Sequence, residues 1–270
     1  MKFKLQTVPA AQGFEWVRSG LRELRHRPWP YMSLLLTFMF VLMLGSLLPG
    51  GGLLMLLTVP LLSLAFMMAT RASLNGHTPG PGVFIAPWTH QHRHLRQPLM
   101  TLCLIYAVLS WVAMALGTWV DDGAFAELIV AVNDPDSTAA QVEELSNAPG
   151  LLSGIVIRLS LTMLLGVPLW HAPALIVWGG QSVGQAMFSS TLALWRSRGA
   201  FVLYGLGWMG VALAAMGLSS VLGALLGNST LASLVIMPIG LAVTSAYYAS
   251  LFFSFQGCFL AESTAPSPPR

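Results

Sequence analysis

Six long apolar runs, separated by polar segments, limit most strongly what this chain can fold into. Each run has roughly 20 residues, the length at which an α-helix crosses the hydrocarbon core of a bilayer. Strands of an outer-membrane barrel would instead be segments of about ten residues in which apolar and polar side chains alternate. Charged residues make up only 9% of the chain, whereas a soluble domain carries about 25%. The sequence therefore predicts an all-α polytopic membrane protein with six transmembrane helices.

The predicted transmembrane domain extends over residues 31–256. Its six spans are expected at 31–48, 53–70, 99–120, 151–178, 201–226 and 231–255. The first span is not a signal peptide, because a Pro-Gly-Gly-Gly turn at 49–52 follows it and not a small-residue cleavage site. The fourth span is longer than one crossing needs. It contains Pro168 and Pro173, each of which removes a helical hydrogen bond, so it should be tilted or kinked.

Polar segments flank and interrupt this domain. Residues 1–30 form a basic amphipathic segment, and residues 121–150 form an acidic loop with one short helix expected at 139–145. The tail 257–270 is too polar and proline-rich to fold alone. None of these segments is long enough to bury a core of its own, so we expect a single membrane domain.

Acidic and basic residues are segregated between these polar segments. Seven of the ten acidic residues lie between Asp121 and Glu144, where there is no Lys or Arg. Apart from Arg158, every basic residue lies in the segments that a six-span chain places on the other side. Basic segments are kept in the cytoplasm during insertion. Both termini are therefore predicted to be cytoplasmic, and the loop 121–150 is predicted to be external.

Two amphipathic segments each precede a pair of spans. Segments 13–24 and 184–195 are both expected to form helices in the headgroup plane. The apolar face of the first is formed by Phe14, Val17, Leu21 and Leu24. Each segment leads into two spans, the second of which contains a proline, Pro60 or Pro238. Two interpretations stay open: a parallel repeat of helix plus hairpin, or convergence of simple apolar sequence.

The most distinctive segment is Pro168-Leu-Trp-His-Ala-Pro-Ala-Leu-Ile-Val-Trp178. It is accompanied by Ala-Met-Phe-Ser at 186–189, Arg-Gly-Ala-Phe-Val-Leu-Tyr at 198–204 and Val-Pro-Ala-Ala-Gln-Gly-Phe-Glu-Trp at 8–16. Together these segments resemble an uncharacterised family of proteobacterial inner-membrane proteins, and the resemblance covers most of the chain. It implies a multi-pass protein of the bacterial inner membrane, in which the loop 121–150, external by its charge, would be periplasmic. The acidic loop and the histidine-rich loop are not parts of the shared pattern. The resemblance supplies no catalytic or ligand residues.

Arg158 is the single charged residue inside a predicted span. A charge at the bilayer centre costs on the order of 3 kcal/mol by insertion scales, and such residues often mark functional sites. Arg158 lies roughly 12 Å along the helix from the outer end of its span. Either its guanidinium snorkels to lipid phosphates or pairs with Asp121 or Asp122, or it forms a functional polar site.

His90, His92 and His94 alternate in the polar segment before the third span. On an extended backbone their imidazoles would point the same way, and three nitrogens can hold Zn²⁺ or Cu²⁺. No cysteine or carboxylate lies nearby, and Arg93 and Arg96 belong to the same segment. We favour a partly cationic cytoplasmic loop, with a metal site as the weaker alternative.

Signatures of catalysis are missing from the sequence. It has no nucleophile elbow, no phosphate-binding loop and no His-Glu-x-x-His pattern, and no cofactor is predicted. His171, between two prolines, is expected to be a core or membrane-interface histidine. Because the bases lie beside spans, topology explains them and nucleic acid is not a predicted partner.

The sequence favours a non-enzymatic scaffold, or a subunit that interacts with membrane lipids or with a membrane-protein partner. The spans contain no Asp or Glu, which counts against an ion-driven transporter. The alternative is a passive or weakly coupled transporter of a small or lipid-like anion that uses Arg158.

Overall fold

Helices account for most of the residues that the computed structural model describes, which are 3–48, 51–89, 93–134, 136–227 and 229–261. The first half contains β1 (Phe3–Leu5), α1 (Gln12–His26), α2 (Pro28–Ser46), α3 (Gly51–Leu74), α4 (Gly82–Ile85), a 3₁₀ turn (Ala86–Trp88) and α5 (Arg93–Val120). The second half contains α6 (Ala124–Asn133), α7 (Ala139–Ser146), α8 (Leu151–Leu169), α9 (Ala172–Gly179), α10 (Val183–Arg196), α11 (Arg198–Leu226), α12 (Ser229–Cys258) and β2 (Phe259–Ala261).

Six helical stretches within these ranges are long and apolar enough to cross a membrane. They are Pro28–Ser46, Met55–Leu74, Arg93–Val120, Leu151–Gly179, Arg198–Leu226 and Ala232–Cys258. The predicted all-α class with six spanning helices is confirmed. Several helices extend past the predicted spans, because a helix continues through polar residues for as long as its backbone hydrogen bonds are made. The third, for example, begins at Arg93 and not at residue 99.

The fourth span is interrupted. α8 and α9 are separate helices, because Pro168 and Pro173 lack the N–H groups that a continuous helix needs. Ser190 on α10 bridges the interruption. Its Oγ accepts a hydrogen bond from the backbone N of His171 at 3.1 Å and donates one to the carbonyl oxygen of Val167 at 2.9 Å. Backbone groups freed within the span thus find partners inside the protein.

Two short strands bring the ends of the described chain together. β1 and β2 pair in antiparallel register, with Lys4 opposite Leu260. The side chain of Gln6 adds a hydrogen bond from Nε2 to the carbonyl oxygen of Gly257 at 2.6 Å. The amino-terminal segment therefore lies at the carboxyl-terminal end of α12. This arrangement is consistent with an even number of membrane crossings.

α1 packs against α11 and α12 through small residues. Gly13 lies against the backbone of Ala200 on α11, and Gly20 lies against Ser250 on α12, with no room for a β-carbon at either glycine. Trp16, on the same face, is fully buried. The helix is thus part of the packed bundle along this face.

The buried face of α1 overlaps the predicted one only in part. Phe14 and Leu21 are 43% and 36% exposed, whereas Val17 and Glu23 are buried. A prediction from hydrophobicity assigns bulky apolar side chains to the buried face. Two helices, however, approach most closely where their side chains are small. The glycine-bearing side of α1 therefore faces the bundle, and the bulky apolar residues lie at its margin.

The two units of the predicted repeat have the same order of elements, but their first helices pack against different neighbours. α1 precedes the α2–α3 hairpin, and α10 precedes the α11–α12 hairpin; Pro60 lies inside α3 and Pro238 inside α12. However, α1 packs mainly against α11 and α12, whereas α10 packs mainly against α8 and α9. The two units are therefore related by order along the chain and not by equivalent surroundings.

The acidic segment forms two helices where the sequence predicts one. α7 begins at a capping box in which the side chains of Thr138 and Gln141 each accept from the other's backbone N–H. α6, which the sequence analysis missed, is a ten-residue apolar helix that packs against α7. Its apolar stretch is too short to cross a membrane, and for that reason a search for spans passes over it.

Candidate functional site

Arg158 is held by a two-point ion pair with Asp121. Arg158 Nη1 lies 2.5 Å from Asp121 Oδ2, and Nη2 lies 3.2 Å from Oδ1. Nη2 also donates to Thr118 Oγ1 at 3.1 Å. Arg158 is 6% exposed and Asp121 is 1% exposed, so both charges are withdrawn from solvent. The planar guanidinium suits this geometry because its parallel N–H groups match the two carboxylate oxygens.

Two glycines leave room for this ion pair, and an aromatic ring contacts its guanidinium. A β-carbon at Gly154 on α8 would lie 2.6 Å from Asp121 Oδ2, and one at Gly117 on α5 would overlap the Arg158 side chain. The centroid of the Phe125 ring lies 4.8 Å from Arg158 Cζ, which is within the range of cation–π attraction. Residues on α5, α6 and α8 thus surround the Arg158 side chain.

The Arg158 hydrogen bonds lower the pKa of Asp121 below its ordinary value; burial opposes this shift, and a hydrogen bond from Gly123 N–H at 3.1 Å contributes to it. The carboxylate is therefore ionised, and the pair has no net charge. Asp122, the second predicted counter-charge, is exposed, and across the described ranges it makes no ion pair with Arg158. Of the two candidate partners, the structure brings only Asp121 to Arg158.

A second buried carboxylate, Glu23 on α1, is a feature that the sequence analysis missed. Glu23 is 8% exposed, and its Oε1 accepts hydrogen bonds from the Ser73 hydroxyl and, at 3.2 Å, from the Tyr31 hydroxyl. Tyr31 Oη is also 3.3 Å from Thr70 Oγ1, which donates to the carbonyl oxygen of Ala249 at 3.4 Å. Within the described chain no cation pairs with Glu23.

A signal for Glu23 is present in the sequence. Gly13, Trp16, Gly20 and Glu23 are spaced three and four residues apart, so they share one helical face. Two of the four are glycines, so the mean hydropathy of this face is low. It is nevertheless the face that packs against α11 and α12. Weighting small residues as packing residues would have placed Glu23 in the interior.

The histidine-rich segment is only partly described by the structure. His90 and His92 lie outside the described residues, and His94 is exposed near the start of α5. Within the described part of the chain, no group of three His, Cys, Asp or Glu residues is placed to hold a metal ion. The metal site at His90, His92 and His94 therefore stays a prediction.

His171 lies in the packed core beside the interruption between α8 and α9. It is 0% exposed, and its Nε2 is 3.1 Å from Ser254 Oγ. The Ser254 hydroxyl donates to the carbonyl oxygen of Leu251 at 2.8 Å and accepts from Trp170 Nε1 at 3.3 Å. Because the hydroxyl proton is already used, His171 Nε2 is the donor, and the imidazole is in its Nε2–H form.

The spanning helices, their apolar surfaces and the internally paired charge define a polytopic α-helical membrane protein. The sequence is 30% identical over 270 residues to a protein of Burkholderia thailandensis described as a probable inner membrane protein, and the match covers 99% of this chain and 98% of that protein. This chain belongs to that family of inner-membrane proteins, as its sequence resemblance predicts. No family model and no solved structure matches it.

Proposed function

We propose that this protein is a non-enzymatic component of the inner membrane that interacts with lipids and supports a membrane-protein partner. The observation that carries the proposal is the ion pair between Arg158 and Asp121. Charged groups inside membrane proteins usually mark a substrate path or a proton relay. Here both terminal nitrogens of the arginine within a span contact a carboxylate of the same chain, which supports a role in the fold over a role in binding a substrate.

The outward surface of the spanning helices supports contact with lipid. Large apolar side chains are exposed along α11; they include Met209, Leu213, Met216, Val221 and Leu225. Soluble proteins rarely expose contiguous apolar surface on this scale. Lipid chains are the partner that such a surface suits.

In the proposed orientation both termini are cytoplasmic and the α6–α7 segment is periplasmic. The basic residues near the spans, Arg158 excepted, and the acidic segment lie in opposite sets of loops, as the positive-inside tendency favours. Basic residues at the cytoplasmic surface would also attract anionic headgroups. Reporter fusions test this orientation: a fusion after Ser137 should give a periplasmic signal and one at Arg270 a cytoplasmic signal. Exchange of the two signals would contradict it.

The acidic α6–α7 segment is the proposed surface for a protein partner. It carries Glu127, Asp134, Asp136, Glu143 and Glu144. Co-purification from native membranes, with and without charge-neutralising substitutions at Glu143 and Glu144, tests this role. Loss of a stoichiometric partner from the substituted protein is expected, and its unchanged recovery would count against the segment.

The alternative function, passive or weakly coupled transport of an anion, depends on Arg158. An anion that binds the two terminal guanidinium nitrogens would have to displace Asp121, leaving a buried carboxylate without its ion-pair partner. We therefore expect no flux of chloride, phosphate or short-chain carboxylates into proteoliposomes that contain the protein. Flux that is lost in Arg158→Gln, with insertion and folding intact, would favour the transporter instead.

A further inference from the structure

Arg71, in the last turn of α3, is a half-buried cation. Its Cζ lies 5.1 Å from the centroid of the Trp178 ring on α9. Within the described ranges, no carboxylate pairs with it and its guanidinium donates no hydrogen bond. Arg27 and Arg96 differ, because each donates to a backbone carbonyl, at 2.7 Å and 2.5 Å. Among the described residues, the guanidinium N–H groups of Arg71 therefore have no acceptor.

Arg71 lines an open pocket of about 270 Å³. The pocket lies where α3, α9 and α12 meet the paired terminal strands. Its other lining residues include Phe3, Trp178, Phe255, Gln256 and Leu260. No acidic residue is among the described residues that line it. The site thus combines one cation and one amide with apolar walls.

Aromatic contacts fix the walls of this pocket. The Trp178 ring meets the Phe255 ring at a centroid distance of 5.2 Å, and Phe3 meets Phe255 at 5.4 Å, both edge to face. Phe3 is held in place by the pairing of β1 with β2. Since Phe3 and Leu260 come from opposite ends of the chain, the terminal sheet builds one side of the pocket. A pocket with preformed walls needs less ordering when a ligand enters.

The residues that line this pocket favour an anionic ligand. A guanidinium offers planar paired donors that match phosphate oxygens, and the amide of Gln256 can add a donor. Drug-sized ligands fill pockets of about 300–1,000 Å³, so a pocket of about 270 Å³ suits a single phosphate group with a short attached fragment. The tryptophan and phenylalanine walls suit the apolar part of such a fragment.

We propose that the Arg71 pocket binds a phosphate group, supplied by the headgroup of an anionic phospholipid or by free phosphate. Arg71 provides the paired donors, Trp178 holds the guanidinium in place by cation–π contact, and Gln256 is the second polar contact. With a phospholipid as the source, this inference rests on the proposed lipid interaction and assigns it a site.

The full-length protein in detergent provides the test. Native mass spectrometry compares retention of added phosphatidylglycerol with retention of phosphatidylcholine, and the melting temperature is followed with millimolar inorganic phosphate. Arg71→Gln should retain phosphatidylglycerol about tenfold more weakly than the wild type, the loss expected for charge-assisted hydrogen bonds. Arg22→Gln is the matched control, because Arg22 is exposed on α1 and the charge change is the same.

The outcomes separate the site from the proposed function. Equal phosphatidylglycerol retention by wild type and Arg71→Gln would overturn the pocket while leaving lipid interaction intact. If the wild type retains neither lipid and its melting temperature does not change with phosphate, both the pocket and the proposed lipid interaction are overturned. Stabilisation by inorganic phosphate that depends on Arg71, without preference for phosphatidylglycerol, would support the anion site and identify free phosphate as the source.

A variant that does not fold would not end the test. If Arg71→Gln fails to fold, Arg71→Lys replaces it, since lysine keeps the charge but loses the planar pair of donors. Phosphatidylglycerol retention should then fall severalfold, and unchanged retention would contradict the two-point contact.

Discussion

Two buried clusters in this protein accommodate a carboxylate in different ways. Beside α5 and α8, Asp121 is paired with Arg158, and each charge cancels the other. Where α1 meets α3, Glu23 is held by the hydroxyls of Tyr31 and Ser73 instead. The ion pair depends on both partners at once, because either charge alone is costly to bury. The hydroxyl network depends on several weaker donors, so it should lose stability in steps.

The largest expected effect comes from breaking the ion pair. Asp121→Ala leaves the Arg158 charge buried and unpaired, which should destabilise the protein by about 3–5 kcal/mol. The apparent melting temperature in detergent micelles measures the loss. Asp122→Asn is the control, since Asp122 is exposed, makes no ion pair with Arg158 and has a φ of 47°, which asparagine tolerates; its melting temperature should stay close to that of the wild type.

A double substitution sharpens the same comparison. Asp121→Leu with Arg158→Leu removes both charges and should recover most of the stability, because apolar residues often replace a buried ion pair without cost. A double variant as unstable as Asp121→Ala would mean that packing around Gly117 and Gly154, and not the unpaired charge, causes the loss.

The second prediction concerns the docking of α1, which places Glu23 in the interior. In Gly20→Ala the added β-carbon would lie 2.5 Å from Ser250 Cβ, and such overpacking should destabilise the protein by about 1–3 kcal/mol. Gly210→Ala on α11 is the control, because a β-carbon there meets nothing within 4 Å. Comparable melting temperatures for the two variants would show that α1 packs less closely than described.

A smaller effect is expected within the hydroxyl network. The Tyr31 hydroxyl has one proton for two acceptors, Glu23 Oε1 at 3.2 Å and Thr70 Oγ1 at 3.3 Å. Tyr31→Phe should therefore destabilise by about 1 kcal/mol, since Ser73 still donates to Glu23. Thermal unfolding of Tyr31→Phe and Ser73→Ala, singly and combined, tests the stepwise loss. A single variant as damaging as Asp121→Ala would remove the distinction between the clusters.

The two clusters also differ in how far the sequence predicts them. Arg158 stands alone in an apolar run, and Asp121 is the first acid after the preceding span. Because an isolated intramembrane charge needs a nearby partner, their pairing can be proposed from sequence. Glu23 lies among basic residues on a polar helix, so composition suggests exposure. Its burial follows from the glycines of α1, whose packing depends on helices far along the chain.

The spans, like the ion pair, can be predicted from local sequence, whereas other features of the fold depend on contacts between distant parts of the chain. Span positions follow from local hydropathy, and the interruption at Pro168 and Pro173 follows from missing backbone donors. The pairing of β1 with β2 could not be predicted, because each strand has three residues, too few to show an alternating pattern. Their partnership also joins opposite ends of the chain. The Arg71 pocket was missed for the same reason, since those strands supply part of its wall.

The smallest effect is a dependence of stability on pH that the ion pair should contribute. Arg158 lowers the pKa of Asp121 in the folded protein below its ordinary value of 3.8. A carboxylate with a lowered folded pKa stabilises the protein above its unfolded pKa and loses that contribution as the pH falls through the folded value. The stability advantage of the wild type over Asp121→Asn should therefore be constant near neutral pH. It should shrink once the pH falls below about 4.

Melting curves of the wild type and Asp121→Asn between neutral and acidic pH measure this difference. Asp122→Asn serves as the control, because that substitution leaves the contacts of Arg158 unchanged. A gap between wild type and Asp121→Asn that widens on acidification would require the opposite sign of pKa shift. The ion pair would then not hold Asp121 in its charged form.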